Sequence, residues 1–431
     1  MIADNITRDP GGALRFAGVR ANALADRFGT PLYLMDEERI RSNCRMYLDA
    51  FREHFGENSA VLYAAKACAF KEIFRIMAAE GMGLDVVSRG EIHTALAAGF
   101  PAEGMYFQGD AKTDEDILYA LERGVGCFVV DNETELGVLQ AAAAARGVRQ
   151  KVLLRITPGI DPHTYEAVNT GTVDVKFGVP LVDDRGEAFV RAALGMENLD
   201  VAGLHCHVGS EVFDEDVFER TADVMVDFMA RVRDLLGFTA RELDLGGGYG
   251  VRYVPSDPAA DIPARIGEVA AHLKARLRQA GLPLPRVLME PGRSIVADAG
   301  MTVYTVSTVK RLPGCKNYVI VDGGMADDPR YALYRARYCV LHADRAGDTS
   351  EIFDLAGRCC ESGDILQPAV ALPADVRRGE RVCVCTTGAY NYSMASNYNR
   401  LGRPCVVMLS GGSARVVVRR ETPEDLCALD V

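Results

Sequence analysis

The sequence predicts an α/β chain: a (β/α)8 TIM barrel with a second, mainly β domain. From about residue 38 to 290, short apolar segments alternate with amphipathic stretches of helical length. Eight such apolar segments can be counted, which is the number that closes a barrel. After about residue 295 the alternation stops, and strand-like runs follow with few helical stretches between them.

Taken in order, the lead-in contains a short strand over 32–35, and Asp36-Glu37-Glu38 opens a helix reaching the mid-forties, because acidic residues favour a first turn. The apolar run 61–70 supplies the first barrel strand over 61–65, ending near Lys66. Further strands are expected over 84–87, 105–107, 127–130, 152–156, 201–206, 242–245 and 286–289. Helices are expected over 70–79, 90–98, 114–122, 133–146, 211–236 and 262–280. A doubly wound open sheet is the structural alternative, because short strands are easily miscounted. Later strands are expected over 301–309, 317–321, 381–386, 404–409 and 414–418. The expected division is a barrel over 38–293 and a discontinuous β domain made of 1–37 and 294–431.

Composition narrows the function classes. The 431 residues are 48% hydrophobic and 25% charged, with a net charge of -12, so an extended basic nucleic-acid footprint is not expected. No apolar run is long enough to span a membrane, and the first residues lack a signal-peptide pattern, so a cytoplasmic location is the expectation. The 12 cysteines are dispersed and read as reduced thiols. Cys359-Cys360 and Cys383-Val384-Cys385 lack zinc-ribbon spacing, and no metal is expected.

Unusual groups gather at the expected strand ends. Lys66 follows the first strand, and the second leads into Gly83-Leu84-Asp85-Val86-Val87-Ser88-Arg89-Gly90-Glu91. His205-Cys206-His207-Val208-Gly209-Ser210 follows the sixth, Gly246-Gly247-Gly248 the seventh and Glu290-Pro291-Gly292-Arg293 the eighth. In a barrel these ends share one face. Three glycines expose backbone N–H groups suited to a phosphate, although a tight turn alone would also use them. The Arg293 guanidinium can grip a phosphate or carboxylate at two points. Lysine, phosphate turn and strand-end carboxylate together suggest pyridoxal 5'-phosphate held as a Schiff base on Lys66. Glu290 is the candidate partner of the pyridine nitrogen. His207 is either a ring-stacking residue or a hydrogen-bonded core histidine.

On these motifs the sequence resembles the diaminopimelate decarboxylase family, within the alanine-racemase-like, barrel-type pyridoxal-phosphate decarboxylases. The resemblance runs from about Pro31 to Leu426. It implies a barrel followed by a β domain, a homodimer with shared active sites, and decarboxylation of meso-2,6-diaminopimelate at its D-configured centre to give L-lysine, the last step of lysine biosynthesis.

Residue by residue, Lys66 in Tyr63-Ala64-Ala65-Lys66-Ala67 resembles the Schiff-base lysine, and His207 the ring-stacking histidine, with Ser210 near the phosphate. Gly246, Gly247 and Gly248 resemble the phosphate loop, and Glu290 the pyridine partner, within a cofactor motif that continues through Pro291, Gly292 and Arg293. Arg293, Arg330 and Tyr334 match substrate contacts. Cys360 and Glu361 in Cys360-Glu361-Ser362-Gly363-Asp364 resemble a proton donor and a holder of the distal amine, contributed by a second copy. Tyr390 resembles a tyrosine that reaches cofactor phosphate and substrate. The sequence departs from the family at Cys68, where asparagine is common, and at Asp327-Asp328-Pro329, where the approach to the arginine is usually more apolar. A decarboxylase for ornithine or arginine is the alternative reading, and a non-enzymatic pyridoxal-phosphate-binding homologue a further one.

Overall fold

Eight short strands form a ring: β1 (Ala60–Ala64), β2 (Gly83–Val86), β3 (Met105–Phe107), β4 (Cys127–Val130), β5 (Gln150–Thr157), β6 (Leu199–His205), β7 (Glu242–Asp244) and β8 (Arg286–Met289). Each pairs in parallel with the next, and β8 pairs with β1, so the sheet closes. Closure overturns the open-sheet alternative. The structure is a computed structural model that describes residues 1–161, 170–172, 174–214, 216–345 and 349–431. These group into two compact units, and the barrel unit comprises Asn43–Gly250 and Ala260–Gly292.

Leu62, Tyr106, Cys127, Val129, Leu153, Ala202 and Leu288, from six different strands, pack as one buried cluster. Truncating Leu62 to alanine there removes burial and leaves a cavity, at a cost of about 2–5 kcal/mol. The helices are fixed by local chemistry. Thr113 and Asp116 form a reciprocal capping box for Asp114–Glu122, Asn132 caps Glu133–Arg146, and Asp261 caps Ile262–Gln279.

Three helices depart from the sequence expectation. The helix expected from 211 begins instead at Val217 and runs to Leu236. The Val212 N–H donates to Gly248 O at 2.9 Å, and Gly250 N–H donates to Val212 O at 3.0 Å, which holds this stretch extended against the glycine turn. The helix after Asp36 runs Glu37–Phe55, well past the mid-forties. The helix Arg185–Leu194 was not anticipated.

The other unit comprises Met1–Ser42, Val251–Ala259 and Arg293–Val431. Its nine-stranded sheet has the entirely buried strand Leu32–Asp36 near its middle, antiparallel to Gly300–Lys310 and parallel to Cys405–Ser410. Arg381–Cys385 also pairs with Gly300–Lys310. The strands Val340–His342, Ser350–Ala356 and Ile365–Pro373, and a small sheet built from Ile6–Arg8, Leu14–Phe16 and Val19–Arg20, are additions to the sequence reading. Among the described residues, no helix is long and apolar enough to cross a membrane.

Candidate active site

At the carboxyl end of β1 the chain enters the short 3-10 turn Ala65–Ala67. Ala65 and Ala67 are buried while Lys66 is exposed, so the turn presents the lysine outward. Lys66 lines a cavity of 330 Å³ whose walls also carry Asp85, Gln108, His205, His207 and Glu290, with Asp110, Lys112, Arg155 and Lys176 among the remainder. The side chains from β1, β2, β5, β6 and β8 come from strand ends or the residues just beyond them, where a barrel places its chemistry.

The deep wall is a crowded set of acids. Gln108 Nε2 donates to Glu290 Oε1, and His205 Nε2 lies 3.3 Å from Glu290 Oε2 and 3.2 Å from Gln108 Nε2. Burial and the nearby Asp85 charge push the Glu290 carboxyl up to about 8. Burial pushes His205 down to about 4, so its ring is neutral near pH 7. Asp244 is raised by burial and by Glu290, and accepts from the Gly246 N–H at 2.9 Å. Burial also raises Asp85, against the opposing pull of Lys66.

Among the described residues, Asp85 Oδ1, Asp244 Oδ2 and His205 Nδ1 are buried without a hydrogen-bond partner. Each such atom costs about 1–3 kcal/mol, so a wall with several of them is built for something other than stability. Ligand atoms of His205, Asp244 and Glu290 lie within 4.8 Å of one another, close enough to share a cation. The same cavity wall carries Lys66, Lys112, Arg155 and Lys176, and a ring N–H brought to it needs only one carboxylate as its partner.

Behind this wall the glycine turn packs tightly. Gly246 and Gly248 adopt φ of +69° and +127°, and a Cβ on Gly247 would stand 2.1 Å from Glu290 O. Only glycine permits that approach. The Gly247 N–H donates to His207 Nδ1 at 3.3 Å, which fixes the tautomer with hydrogen on Nε2. Burial and then Lys66 hold His207 well below its ordinary pKa, so the ring is a neutral plate on the cavity wall. The glycines contact His207, Gly209 and Glu290, and the cavity lining does not include them or Ser210.

The other unit holds the remaining candidates. Arg293 is 4% exposed, donates from Nη1 to Tyr253 OH at 2.8 Å and lies 4.6 Å from the Tyr390 ring centroid. Arg330 is 2% exposed, donates to Tyr334 OH at 2.8 Å and Tyr338 OH at 2.7 Å, and stacks 4.5 Å over Tyr253. One tyrosine thus contacts both arginines. Cys360 and Glu361 are exposed on a loop organised by Asp364, which accepts from the N–H groups of Met325 at 2.6 Å and Cys359 at 2.7 Å.

The candidates therefore fall into two sets: Lys66, His207 and Glu290 around the barrel cavity, and Arg293, Arg330, Tyr334, Cys360, Glu361 and Tyr390 on the second unit. Sequence reasoning missed Gln108, Tyr253 and Tyr338. Gln108 follows β3 by one residue and could have been found by asking which polar residues succeed each strand; the two tyrosines carry no such local signal.

Residues 38–297 match the family model described as pyridoxal-dependent decarboxylase, pyridoxal binding domain. The chain is 42% identical to diaminopimelate decarboxylase of Bacillus subtilis, over 97% of this chain and 95% of that protein. It is 44% identical to diaminopimelate decarboxylase of Actinosynnema pretiosum, over 99% and 94% respectively. The crystal structure of diaminopimelate decarboxylase from M. jannaschii in co-complex with L-lysine superposes with a TM-score of 0.91 at 33% identity, covering 99% of this chain and 98% of that one. A lysine/ornithine decarboxylase from Vibrio vulnificus is more distant, with a TM-score of 0.76 at 26% identity over 90% of this chain and 97% of that one. With this cavity and this likeness along its length, the chain belongs to the diaminopimelate decarboxylase family of pyridoxal-dependent enzymes.

Proposed function

We infer that this chain decarboxylates meso-2,6-diaminopimelate to L-lysine and carbon dioxide, using pyridoxal 5'-phosphate. The observation that carries the reading is a single barrel cavity that combines an exposed lysine amine with the buried carboxylates of Asp85 and Glu290. These residues fit the cofactor: Lys66 can bond its aldehyde, and Glu290, backed by Gln108 and His205, can share a proton with its ring nitrogen. When bound, the cofactor supplies an electron sink next to the substrate α-carbon.

The chain's own residues do the rest. Glu290, positioned by the Gln108 hydrogen bond, would hold the ring proton in place before charge develops. His207 offers a flat neutral face that adds no positive charge beside Lys66. Lys66 would hold the cofactor and can move protons at its Nζ. Arg293, Arg330 and Tyr334 serve the distal carboxylate of the substrate, and Glu361 its distal ammonium. Ser210, Gly246, Gly247 and Gly248 would hold the phosphate, with Tyr390 as a further candidate for it.

The working enzyme in this reading is a homodimer. Cys360 and Glu361 are exposed on their own protomer, which suits residues that complete the active site of a second copy. The proton that replaces the lost carboxylate comes from Cys360 of that copy or from Lys66. A cytoplasmic setting is supported by 12 free thiols, a state kept by reducing compartments.

The test is carbon dioxide release by the protein loaded with pyridoxal phosphate, comparing meso-diaminopimelate with its L,L isomer, ornithine and arginine. Release from the meso compound alone, with lysine in equal amount, is the expected result. Release from ornithine or arginine at comparable rates would reassign the distal-head residues, and no release from any substrate would remove the enzymatic reading.

A further inference from the structure

The sequence Asp327-Asp328-Pro329 stands immediately before Arg330. Asp328 is 0% exposed, and among the described residues neither of its carboxylate oxygens has a hydrogen-bond partner. Its surroundings are the Arg330 guanidinium and backbone N–H, the Tyr338 hydroxyl and the Asn391 amide, which approach without closing to hydrogen-bond geometry. Asn391 Nδ2 is also buried and unsatisfied. The other ionisable groups bearing on this acid are Asp327 and Tyr304, which are hydrogen-bonded to each other.

Arg330, for its part, is buried with phenols as hydrogen-bond partners instead of a carboxylate. The Tyr338 hydroxyl accepts from Arg330 at 2.7 Å and donates to Asn391 Oδ1 at 3.1 Å, so a chain of polar contacts leads from the guanidinium to the Asp328 neighbourhood. A buried cation and a buried, underbonded anion two residues apart balance each other's charge through space.

We propose that Asp328 is a specificity-determining positioning residue: a buried counter-charge that sets how strongly Arg330 attracts the distal carboxylate of the substrate. When Asp328 is neutral, the Arg330 charge is fully available to an incoming carboxylate. When Asp328 is ionised, the two carboxylates compete for one guanidinium, and substrate binds less tightly. Burial, opposed by Arg330, pushes the Asp328 carboxyl up to about 7, so the switch between these states falls near neutrality. The proposal rests on the reading that Arg330 meets the distal head.

The experiment compares KM and kcat for meso-diaminopimelate in the pyridoxal-phosphate-loaded wild type, Asp328→Asn, Asp328→Leu and Arg330→Gln proteins. Measurements run from about pH 6 to about pH 8.5, bracketing the titration. The expected result is a wild-type to Asp328→Asn KM ratio near one at the acid end, rising to about five- to tenfold at the alkaline end, with kcat within about twofold throughout. Asp328→Leu should follow Asp328→Asn, because both lack the charge. Titration of the substrate's own amines is common to all the proteins and cancels in the ratio. A ratio that does not change with pH, or KM and kcat shifting together at every pH, would overturn the proposal. Arg330→Gln separates the two readings: it should raise KM by about 30-fold or more. If it does so while the Asp328 ratio stays flat, only the Asp328 proposal falls; if Arg330→Gln leaves KM unchanged, the distal-head reading falls and takes the proposal with it.

Discussion

The barrel cavity and the arginine–tyrosine cluster of the second unit are opposite electrostatic designs. The cavity wall carries Asp85 and Glu290, with Asp244 buried close to Glu290, and each acid is driven towards its protonated form. The cluster buries two guanidiniums against Tyr253, Tyr334, Tyr338 and Tyr390, which accept hydrogen bonds and offer ring faces but bring no full negative charge. On the proposed reading, the acids of the first region would meet a protonated ring nitrogen and the guanidiniums of the second would meet carboxylates of the substrate. Buried polar groups left unmatched are costly, so on that reading the acids of the cavity would trade stability of the empty protein for affinity.

The most severe way to break the comparison is to remove Lys66. Lys66→Ala should lower kcat by about 10²–10⁴-fold, the range expected when a positioned proton-transfer group is lost. Because Lys66 is exposed, its removal should shift unfolding free energy by only about 0.5 kcal/mol. Turnover and urea unfolding on the same preparation check both statements, and turnover at the wild-type rate would sink the mechanism.

Glu290→Gln comes next and should separate function from stability with opposite signs. Turnover should fall on the order of 10²-fold, because a prepositioned charge that steadies the ring proton is lost. The cofactor-free protein should gain stability above neutrality. The Glu290 carboxyl is raised to about 8, so ionising it in the folded state opposes folding, and the penalty grows as pH rises from the unfolded-state value towards 8. Urea midpoints of the cofactor-free proteins at acid and alkaline pH provide the check.

In the cluster, Arg330→Ala should act on recognition more than on chemistry. It should raise KM for meso-diaminopimelate by about 30-fold or more and leave any weak ornithine turnover nearly unaltered, since ornithine has no distal carboxylate. Equal losses on both substrates, measured as kcat/KM, would show that Arg330 supports structure and not the distal head.

What the sequence revealed of these regions follows from how local each signal is. Barrel strands are covered on both faces, so β1 to β8 read as short apolar runs at regular spacing. Lys66, the triple glycine and Glu290 stand out because such residues are unusual at the ends of those runs. Gln108 was missed because its meaning depends on Glu290, 182 positions away. Tyr253 and Tyr338 are ordinary tyrosines until the fold gathers Arg293 and Arg330 around them. The strands Ser350–Ala356 and Ile365–Pro373 were obscured by Asp354 in the first and by Pro368 and two alanines in the second, residues with low strand preference. The early start assigned to Val217–Leu236 failed because a bridge to the glycine turn, invisible locally, extends the preceding residues.

Asp328 offers the smallest and sharpest comparison, because it places an acid of the barrel's kind inside the cluster of cations. Its carboxyl titrates near its ordinary value in the unfolded chain and at about 7 in the folded one. Below the unfolded value both states are protonated, and Asp328→Asn should match wild type in stability. As pH rises through the window between the two values, the unfolded chain releases its proton while the folded chain retains it, so wild-type stability falls. Above about 7 the loss is complete, and there the asparagine protein, which keeps the shape without the charge, should be more stable by about 2–4 kcal/mol. Arg330 already moderates this penalty, so Asp328→Asn in an Arg330→Gln background should show a larger alkaline gain than in the wild type. Urea unfolding of the four proteins of this double-mutant cycle at two pH values measures the coupling directly. A gain of equal size in both backgrounds would mean that the acid and the guanidinium, though neighbours, do not exchange charge stabilisation.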